Sequence, residues 1–260
     1  MFLDDIIFDI YVYLVENPNL AFKIKCMFLL HEETDPPIIW AENFLPRAVV
    51  NSIFQEMSDI KQYFGTPVWK FGDGATKLEN TSTDFETTKN NLNHLCWGSD
   101  VWLPDPNIPA GYALNNLDKF FFHQGILKFM GSCKSREFQL GARYGLTGRT
   151  HIISYGNGGY YNWHSDDGVY GLSIHGKEIA MTPVFTMSYT LVRDESLLKG
   201  GSQLFMHEGK CYEYPLKNNF LCIFPSRLHH ACSEVICDPN LPWDNNRFNI
   251  QIWTCQDDRN

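Results

Sequence analysis

Apolar residues recur along this chain in two different rhythms, and the change between them divides it. In the first third the spacing is three and four: Ile6, Ile7, Ile10, Tyr11 and Leu14 form one stripe, Val49, Val50, Ile53, Phe54 and Met57 another. Side chains at that spacing share one face of a helix. The pattern predicts helix over 2–34, closed by the breaker Asp35-Pro36-Pro37, a short strand at Ile38-Ile39-Trp40, and a helix carrying Val49 to Met57. A further helix is expected over 115–130, rich in Phe120, Phe121 and Phe122. Between these, 65–111 turns polar and irregular, with Gly72-Asp73-Gly74 and Leu103-Pro104-Asp105-Pro106, so 66–111 reads as a candidate lid.

After Gly145 the rhythm shortens to β-rich runs punctuated by Gly and Pro: His151–Tyr155, Thr182–Val192, Ser202–Met206, Phe220–Phe224 and Arg247–Thr254. Many short strands after a helical half predict an α+β fold whose second half is a barrel or jelly roll. The expected organisation is an N-terminal helical extension over 1–37 and one domain over 38–260, with its β core at about 147–256.

Composition narrows the partners. A net charge of -9 opposes adsorption to phosphate backbones and anionic membranes, so neither nucleic acid nor a membrane surface is the expected partner. The eight cysteines form no C-x-x-C pair, which reads as reduced, buried thiols of a cytoplasmic protein. The apolar run Ile6–Val15 is too short to span a bilayer, and Asp4, Asp5 and Asp9 stand where a signal peptide needs positive charge.

Three separated pieces carry candidate chemistry: His164-Ser165-Asp166, His229-His230, and Arg247 at the head of a β run. Two residues apart on a strand, His164 and Asp166 would face the same way and grip one ion together. A distant histidine would complete a 2-His-1-carboxylate face, which leaves coordination positions open and is the arrangement of non-haem Fe(II) oxygenases. Neighbours on a strand point oppositely, so only one of His229 and His230 can reach the ion. Arg247 offers a permanent cation to an anionic co-substrate, or a salt bridge within a sheet. Gln251 shares its strand face and is a weaker candidate for the pocket wall. Tyr160, Tyr161 and Trp163 line the approach or pack in the core. Cys232 reads as a small apolar filler. His31-Glu32-Glu33 repeats the H-x-carboxylate spacing beside two prolines and is read as solvated.

The run Tyr155-Gly156-Asn157-Gly158-Gly159-Tyr160-Tyr161-Asn162-Trp163-His164-Ser165-Asp166 resembles the Y-x-x-G-x-x-Y-x-x-H-x-D segment of the Fe(II)/2-oxoglutarate oxygenases, especially the prolyl 4-hydroxylase-like branch. Gly200-Gly201-Ser202-Gln203-Leu204 resembles its G-G-x-L turn with one extra residue, and Phe220–Ser226 its strand before the distal histidine. His230, Cys232 and Val235 are similar to its H-x-V-x-x-V, and Arg247 precedes Trp253 at its R-to-W interval. The likeness covers roughly 39–260. The stretch Cys237 to Asn246 stands as an insertion between His230 and Arg247, and the segment before residue 35 lies outside the family core.

The resemblance implies a double-stranded β-helix of the jelly-roll or cupin-like kind, with supporting N-terminal helices. It implies Fe(II) on His164, Asp166 and His230, the register favouring His230 over His229. It further implies 2-oxoglutarate held at its far carboxylate by Arg247 and Tyr155, with dioxygen as second co-substrate, although the Tyr155 ring is equally suited to packing. The implied reaction hydroxylates a C–H bond of a prolyl or peptidyl, amino-acid or related small-molecule substrate, releasing succinate and carbon dioxide. Retention of Asp166 favours hydroxylation over halogenation, which needs that coordination position for a halide. Two alternatives remain. Trp163-His164-Ser165-Asp166-Asp167 and Arg247-Phe248-Asn249 also resemble AlkB-type nucleic-acid demethylases, although Trp253 stands where those have a second arginine. A non-catalytic jelly-roll binding protein would use the same residues structurally.

Overall fold

The computed structural model describes residues 30–45, 47–64, 68–69, 78–79, 96–97, 99–103, 130–131, 133–143, 145–146, 150–167, 170–174 and 177–257. Residues 2–29 of the helix expected over 2–34, residues 115–129 of that expected over 115–130 and most of the candidate lid lie outside these residues.

In chain order the elements are β1 (Leu30–Thr34), β2 (Pro37–Glu42), α1 (Arg47–Asp59), β3 (Cys96–Trp97), β4 (Ser99–Leu103), α2 (Arg136–Gly141), β5 (Thr150–Tyr155), β6 (Tyr160–His164) and β7 (Tyr170–Ile174). There follow β8 (Lys177–Leu191), β9 (Gln203–His207), β10 (Lys210–Tyr214), β11 (Phe220–Pro225), β12 (His229–Cys232) and β13 (Arg247–Asp257). All their pairings are antiparallel. A larger sheet runs β1-β2-β11-β8-β13-β5-β4, with β7 beside β8; a second runs β10-β9-β12-β6-β3.

Strand alternation gives the larger sheet two unlike faces. On β8 and β13 the apolar residues Phe185, Met187, Tyr189, Leu191, Phe248, Ile250 and Ile252 pack under α1. That helix buries Val49, Val50, Ile53, Phe54 and Met57, the stripe its spacing predicts. The opposite face carries Thr186, Ser188, Thr190, Arg247, Asn249 and Gln251, and all of these are buried too. They look toward the second sheet: Ser188 Oγ reaches Gln203 Oε1 on β9, and Phe205 of β9 packs its ring on Phe224 of β11 at 4.8 Å. A register shift between Pro183 and Phe185 sets this alternation, as fits a proline, which has no N–H for the ladder.

The connection between β2 and α1 is pinned by Asn219, whose φ of 54° places it in the left-handed region that asparagine tolerates. Its Oδ1 accepts from Leu45 N–H at 2.8 Å and Tyr189 O–H at 2.7 Å, and its Nδ2 donates to Leu45 O at 2.7 Å. Both ends of α1's approach are thereby tied to the sheet that the helix covers.

Three expectations need correction. Residues 30–34 form strand, not the end of a helix: β1 pairs with β2 from Leu30 opposite Ala41 to Thr34 opposite Pro37, because the Asp35-Pro36 breaker turns the chain back on itself. His31-Glu32-Glu33 does face solvent, with His31 exposed and both acids half-buried, but its side chains also have partners within the chain. The His31 ring stacks on Trp40 at 3.8 Å, Glu32 accepts from the Lys134 and Ser135 N–H groups just before α2, and Glu33 accepts from Trp40 Nε1 and Tyr214 O–H. Finally, part of the polar stretch is sheet: β3 pairs with β6, and β4 with β5.

Replacing Ile250, fully buried beneath α1, by Ala will destabilise the protein by about 2–5 kcal/mol in urea unfolding. Leu140→Ala, at a side chain 43% exposed on α2, will change stability by no more than about 0.5 kcal/mol. Equal effects would contradict the placement of the core.

Candidate metal and anion site

The second sheet brings two histidines face to face. His164, last residue of β6, and His230, second residue of β12, are direct antiparallel partners, and their ring centroids lie 4.1 Å apart. Side chains at such paired positions share one face at close range. Alternation decides between the adjacent histidines: His230 is buried at 1% exposure, whereas His229 is exposed. Asp166 arrives differently from the sequence expectation. It lies beyond the end of β6, in a bend, so its approach owes nothing to strand alternation. Its backbone N–H donates to Ser226 O at 2.7 Å, in the turn between β11 and β12, which holds the bend against the site.

One donor atom from each of His164, Asp166 and His230 lies within 4.8 Å of the others. His164 Nε2 is 3.3 Å from Asp166 Oδ1, and His230 Nε2 is 3.5 Å from Asp166 Oδ2. Ligands about 2.0–2.2 Å from an ion and at right angles to one another are separated by about 3 Å, close to these values. Tautomers are set from behind: His164 Nδ1 is 2.8 Å from Asn162 O and His230 Nδ1 is 2.8 Å from Leu228 O. A carbonyl only accepts, so each Nδ1 carries the proton and each Nε2 turns a lone pair toward the cluster. His230 Nε2 is buried with no hydrogen-bond partner. Such an orphan is costly unless something outside the chain satisfies it.

Electrostatics match. Burial pushes His230 down to about 4, with His164 adding to the effect and Asp166 opposing it, so the imidazole is neutral at neutral pH. Burial by itself would raise Asp166, but His230, His164 and the Thr186 hydroxyl together hold its carboxyl well below the usual range. Two imidazoles and one carboxylate form a donor set for a divalent cation with positions to spare.

Three residues that sequence reading left without a role secure Asp166. Thr186 Oγ1 donates to Oδ2 at 2.7 Å, Trp253 Nε1 donates to the same oxygen at 3.1 Å, and Ser226 Oγ sits 3.0 Å from Thr186 Oγ1. The sequence held a signal for Thr186: it alternates with Ser188 and Thr190 between apolar neighbours, a polar face within a buried strand.

Arg247 begins β13 opposite Tyr155 and is 1% exposed. Its Nε donates to Gly201 O at 2.9 Å, its Nη2 lies 3.5 Å from Thr190 Oγ1, and its guanidinium sits 4.9 Å from the centre of the Tyr155 ring. Nη1 is buried without a partner, and none of the described acidic residues pairs with this cation. Gly201 is required there, at φ 67°, since a Cβ would stand 3.1 Å from both Arg247 Cδ and Val235 Cγ2. Gln251 is buried between Ser188 and His151 on the neighbouring strands, two register steps from Arg247. Of the aromatic candidates, Tyr160 is buried, Tyr161 and Trp163 are half-buried, and the Tyr161 ring lies 4.2 Å from that of His164. Cys232 is buried and burial raises its thiol, in keeping with a filler.

No family model and no curated relative matches the sequence. The structure is similar to a prolyl hydroxylase from Trichoplax adhaerens in complex with a hypoxia inducible factor oxygen degradation domain peptide fragment: TM-score 0.53 and 16% identity, over 83% of this chain and 82% of that one. It is also similar to a prolyl-4-hydroxylase from Pseudomonas putida, with TM-score 0.52 and 13% identity over 83% of this chain and 90% of that one. A Phytophthora capsici prolyl 4-hydroxylase matches with TM-score 0.50 and 13% identity, over 85% of this chain and 59% of that one. The chain thus has the fold of these oxygenases, as its motifs led one to expect.

The neutral His230 makes stability pH-dependent in a defined window. The unfolded chain binds its proton near the ordinary imidazole value of 6.5 and the native state only near 4, so this contribution is complete above 6.5 and lost as pH falls toward 4. Urea unfolding of metal-free protein will show a slope of up to about 1.4 kcal/mol per pH unit from this group. His230→Asn will have a shallower slope over the same range; equal slopes would place His230 outside the buried cluster.

Proposed function

We propose that the protein is an Fe(II)- and 2-oxoglutarate-dependent dioxygenase that hydroxylates an unactivated C–H bond. His164, Asp166 and His230 are its metal ligands, and Arg247, Tyr155 and Gln251 line its co-substrate pocket. One observation carries this reading: a metal-type donor set with an orphaned imidazole nitrogen shares a buried polar face with a guanidinium that pairs with none of the described acidic residues. Thr186 touches Asp166 and Thr190 approaches Arg247, four residues apart on β8, or about 13 Å of strand. A short dicarboxylate whose oxo-acid end meets the metal and whose far carboxylate meets Arg247 supplies what each end lacks.

Fe(II) with these co-substrates supplies the oxidant: 2-oxoglutarate, dioxygen and R–H become succinate, carbon dioxide and R–OH. The chain's own part is placement. The backbone carbonyls of Asn162 and Leu228 keep both Nε2 lone pairs directed inward, Thr186 and Trp253 orient Asp166, and Gly201 with Thr190 aims Arg247. A planar guanidinium receives a carboxylate through two parallel hydrogen bonds, a geometry lysine does not offer.

For the substrate we favour a prolyl or other peptidyl residue, with a free amino acid or related small molecule next. The support is likeness to prolyl hydroxylases, one of them in complex with a peptide fragment. Trp253 favours this branch over the nucleic-acid demethylases, whose second arginine could not make the indole's neutral bond to Asp166. We take the two facing sheets as a double-stranded β-helix core at about 147–256, within a domain over 38–260 that follows an N-terminal extension. Cys211, Cys222, Cys232 and Cys237 are free thiols, which supports a reducing, cytoplasmic setting. Among the described residues no helix is long and apolar enough to cross a membrane.

Anaerobic calorimetry will find one Fe(II) per chain and metal-dependent binding of 2-oxoglutarate, and a substrate panel read by succinate will identify the class. Asp166→Ala will abolish substrate-driven succinate formation, and full turnover in that variant would remove Asp166 from the ligand set. Arg247→Lys will raise the KM for 2-oxoglutarate about tenfold or more, equivalent to ~1.4 kcal/mol of lost binding, with a smaller effect on kcat. An unchanged KM would place the co-substrate carboxylate elsewhere.

A further inference from the structure

The two oxygens of Asp166 are treated unequally. Both neutral donors that reach the carboxylate, the Thr186 hydroxyl at 2.7 Å and the Trp253 indole N–H at 3.1 Å, aim at Oδ2. Oδ1 takes neither and lies 3.3 Å from His164 Nε2. Oδ2 also stands 3.5 Å from His230 Nε2, a contact that is not a hydrogen bond, so the two oxygens differ in the neutral donors they accept and not in their nearness to the imidazoles. A carboxylate only accepts, so Thr186 commits its one hydroxyl hydrogen to Asp166. Ser226 Oγ, 3.0 Å from Thr186 Oγ1, must then donate to Thr186. The result is a directed relay, Ser226 to Thr186 to Asp166, in which each bond polarises the next.

Ser226 anchors the relay at its other end as well. Its carbonyl accepts the Asp166 N–H at 2.7 Å and its own N–H donates to Val184 O at 2.9 Å, tying the bend that bears Asp166 to β8. Thr186 and Trp253 are direct cross-strand partners on β8 and β13, so their two donors converge from adjacent strands of one sheet. All three residues are buried, Ser226 and Thr186 fully.

We propose that Trp253, Thr186 and Ser226 are positioning residues that keep Oδ2 of Asp166 out of coordination, so that the carboxylate presents a single oxygen, Oδ1, to the metal. This rests on the reading of His164, Asp166 and His230 as a metal centre. A free carboxylate can swing to hold a cation through both oxygens, and here such a swing breaks two hydrogen bonds to a charged acceptor. The coordination position that the second oxygen would occupy stays available to the co-substrates.

The test replaces Thr186 by Val and Trp253 by Phe together, removing both donors while keeping shape, and loads wild type and variant with Mn(II) in place of iron. Water-proton relaxation counts the waters on the metal without reference to turnover. Three protein ligands on a six-coordinate ion leave three positions open. The variant, with Oδ2 freed to bind, will retain one Mn(II) per chain but lose about one third of the relaxation enhancement. Its kcat in the iron form will fall about 10- to 100-fold. Thr186→Ser, which keeps the hydroxyl, will leave the enhancement at the wild-type value. Should the double variant not fold, Ser226→Ala and Trp253→Phe carry the same measurement singly, with smaller losses of enhancement. An enhancement equal to wild type, or loss of Mn(II) binding from a folded variant, overturns the proposal. If wild type itself takes up no divalent metal, the reading of the metal centre fails and this inference with it.

Discussion

Two buried charges of opposite sign, Asp166 and Arg247, constrain the rest of this structure. A charge withdrawn from water is tolerated only where partners replace its hydration. Asp166 meets that demand within the chain: two imidazoles beside it, a hydroxyl and an indole on one oxygen, and a carbonyl on its own N–H. Arg247 meets it only in part, through a carbonyl, a distant hydroxyl and an aromatic face, with Nη1 left over. In the proposed reading one end takes a cation and the other an anion.

Between them the polar face of β8 and β13 is buried against the second sheet instead of being turned to solvent, an unusual use of alternation. In an ordinary two-layer arrangement the apolar face makes the core and the polar face meets water. Here the apolar face is covered by α1, which supplies the large hydrophobic cluster, and this leaves the polar face free to line the interior. Stability and chemistry are thereby divided between the two faces of the same strands. Rigid strands place Thr186, Thr190, Arg247 and Trp253, and of the three proposed metal ligands only Asp166 comes from outside a strand. The one mobile-looking element by sequence position, the bend at Asp166, is held by the Ser226 turn.

The second half of the chain was largely legible because its strands are short, alternating and bounded by Gly and Pro. Each of the five expected runs coincides with β5, β8, β9, β11 or β13 within a few residues at its ends, except that β8 begins five residues earlier. The α1 stripe was legible for the same reason, its apolar spacing being that of the buried face. β1 was missed because Leu30 to Thr34 has no alternation of its own; it is strand only by pairing with β2 across the Asp35-Pro36 turn. β3 and β4 were missed likewise, since short segments in a polar stretch gain their ladder from β6 and β5, 47 to 65 residues away.

The sequence by itself determined the inventory of the site: two histidines, an acid and an arginine in motif order, together with the alternation that lets only one of His229 and His230 face inward. These follow from local backbone geometry, which a run of residues carries within itself. Only the tertiary structure decided how Asp166 reaches the histidines, because that approach depends on a bend tied to a turn sixty residues later. It alone also decided which carboxylate oxygen accepts the Thr186 and Trp253 donors, and that Arg247 pairs with none of the described acidic residues. Those outcomes depend on which groups distant strands bring within hydrogen-bonding range, and no local pattern encodes that.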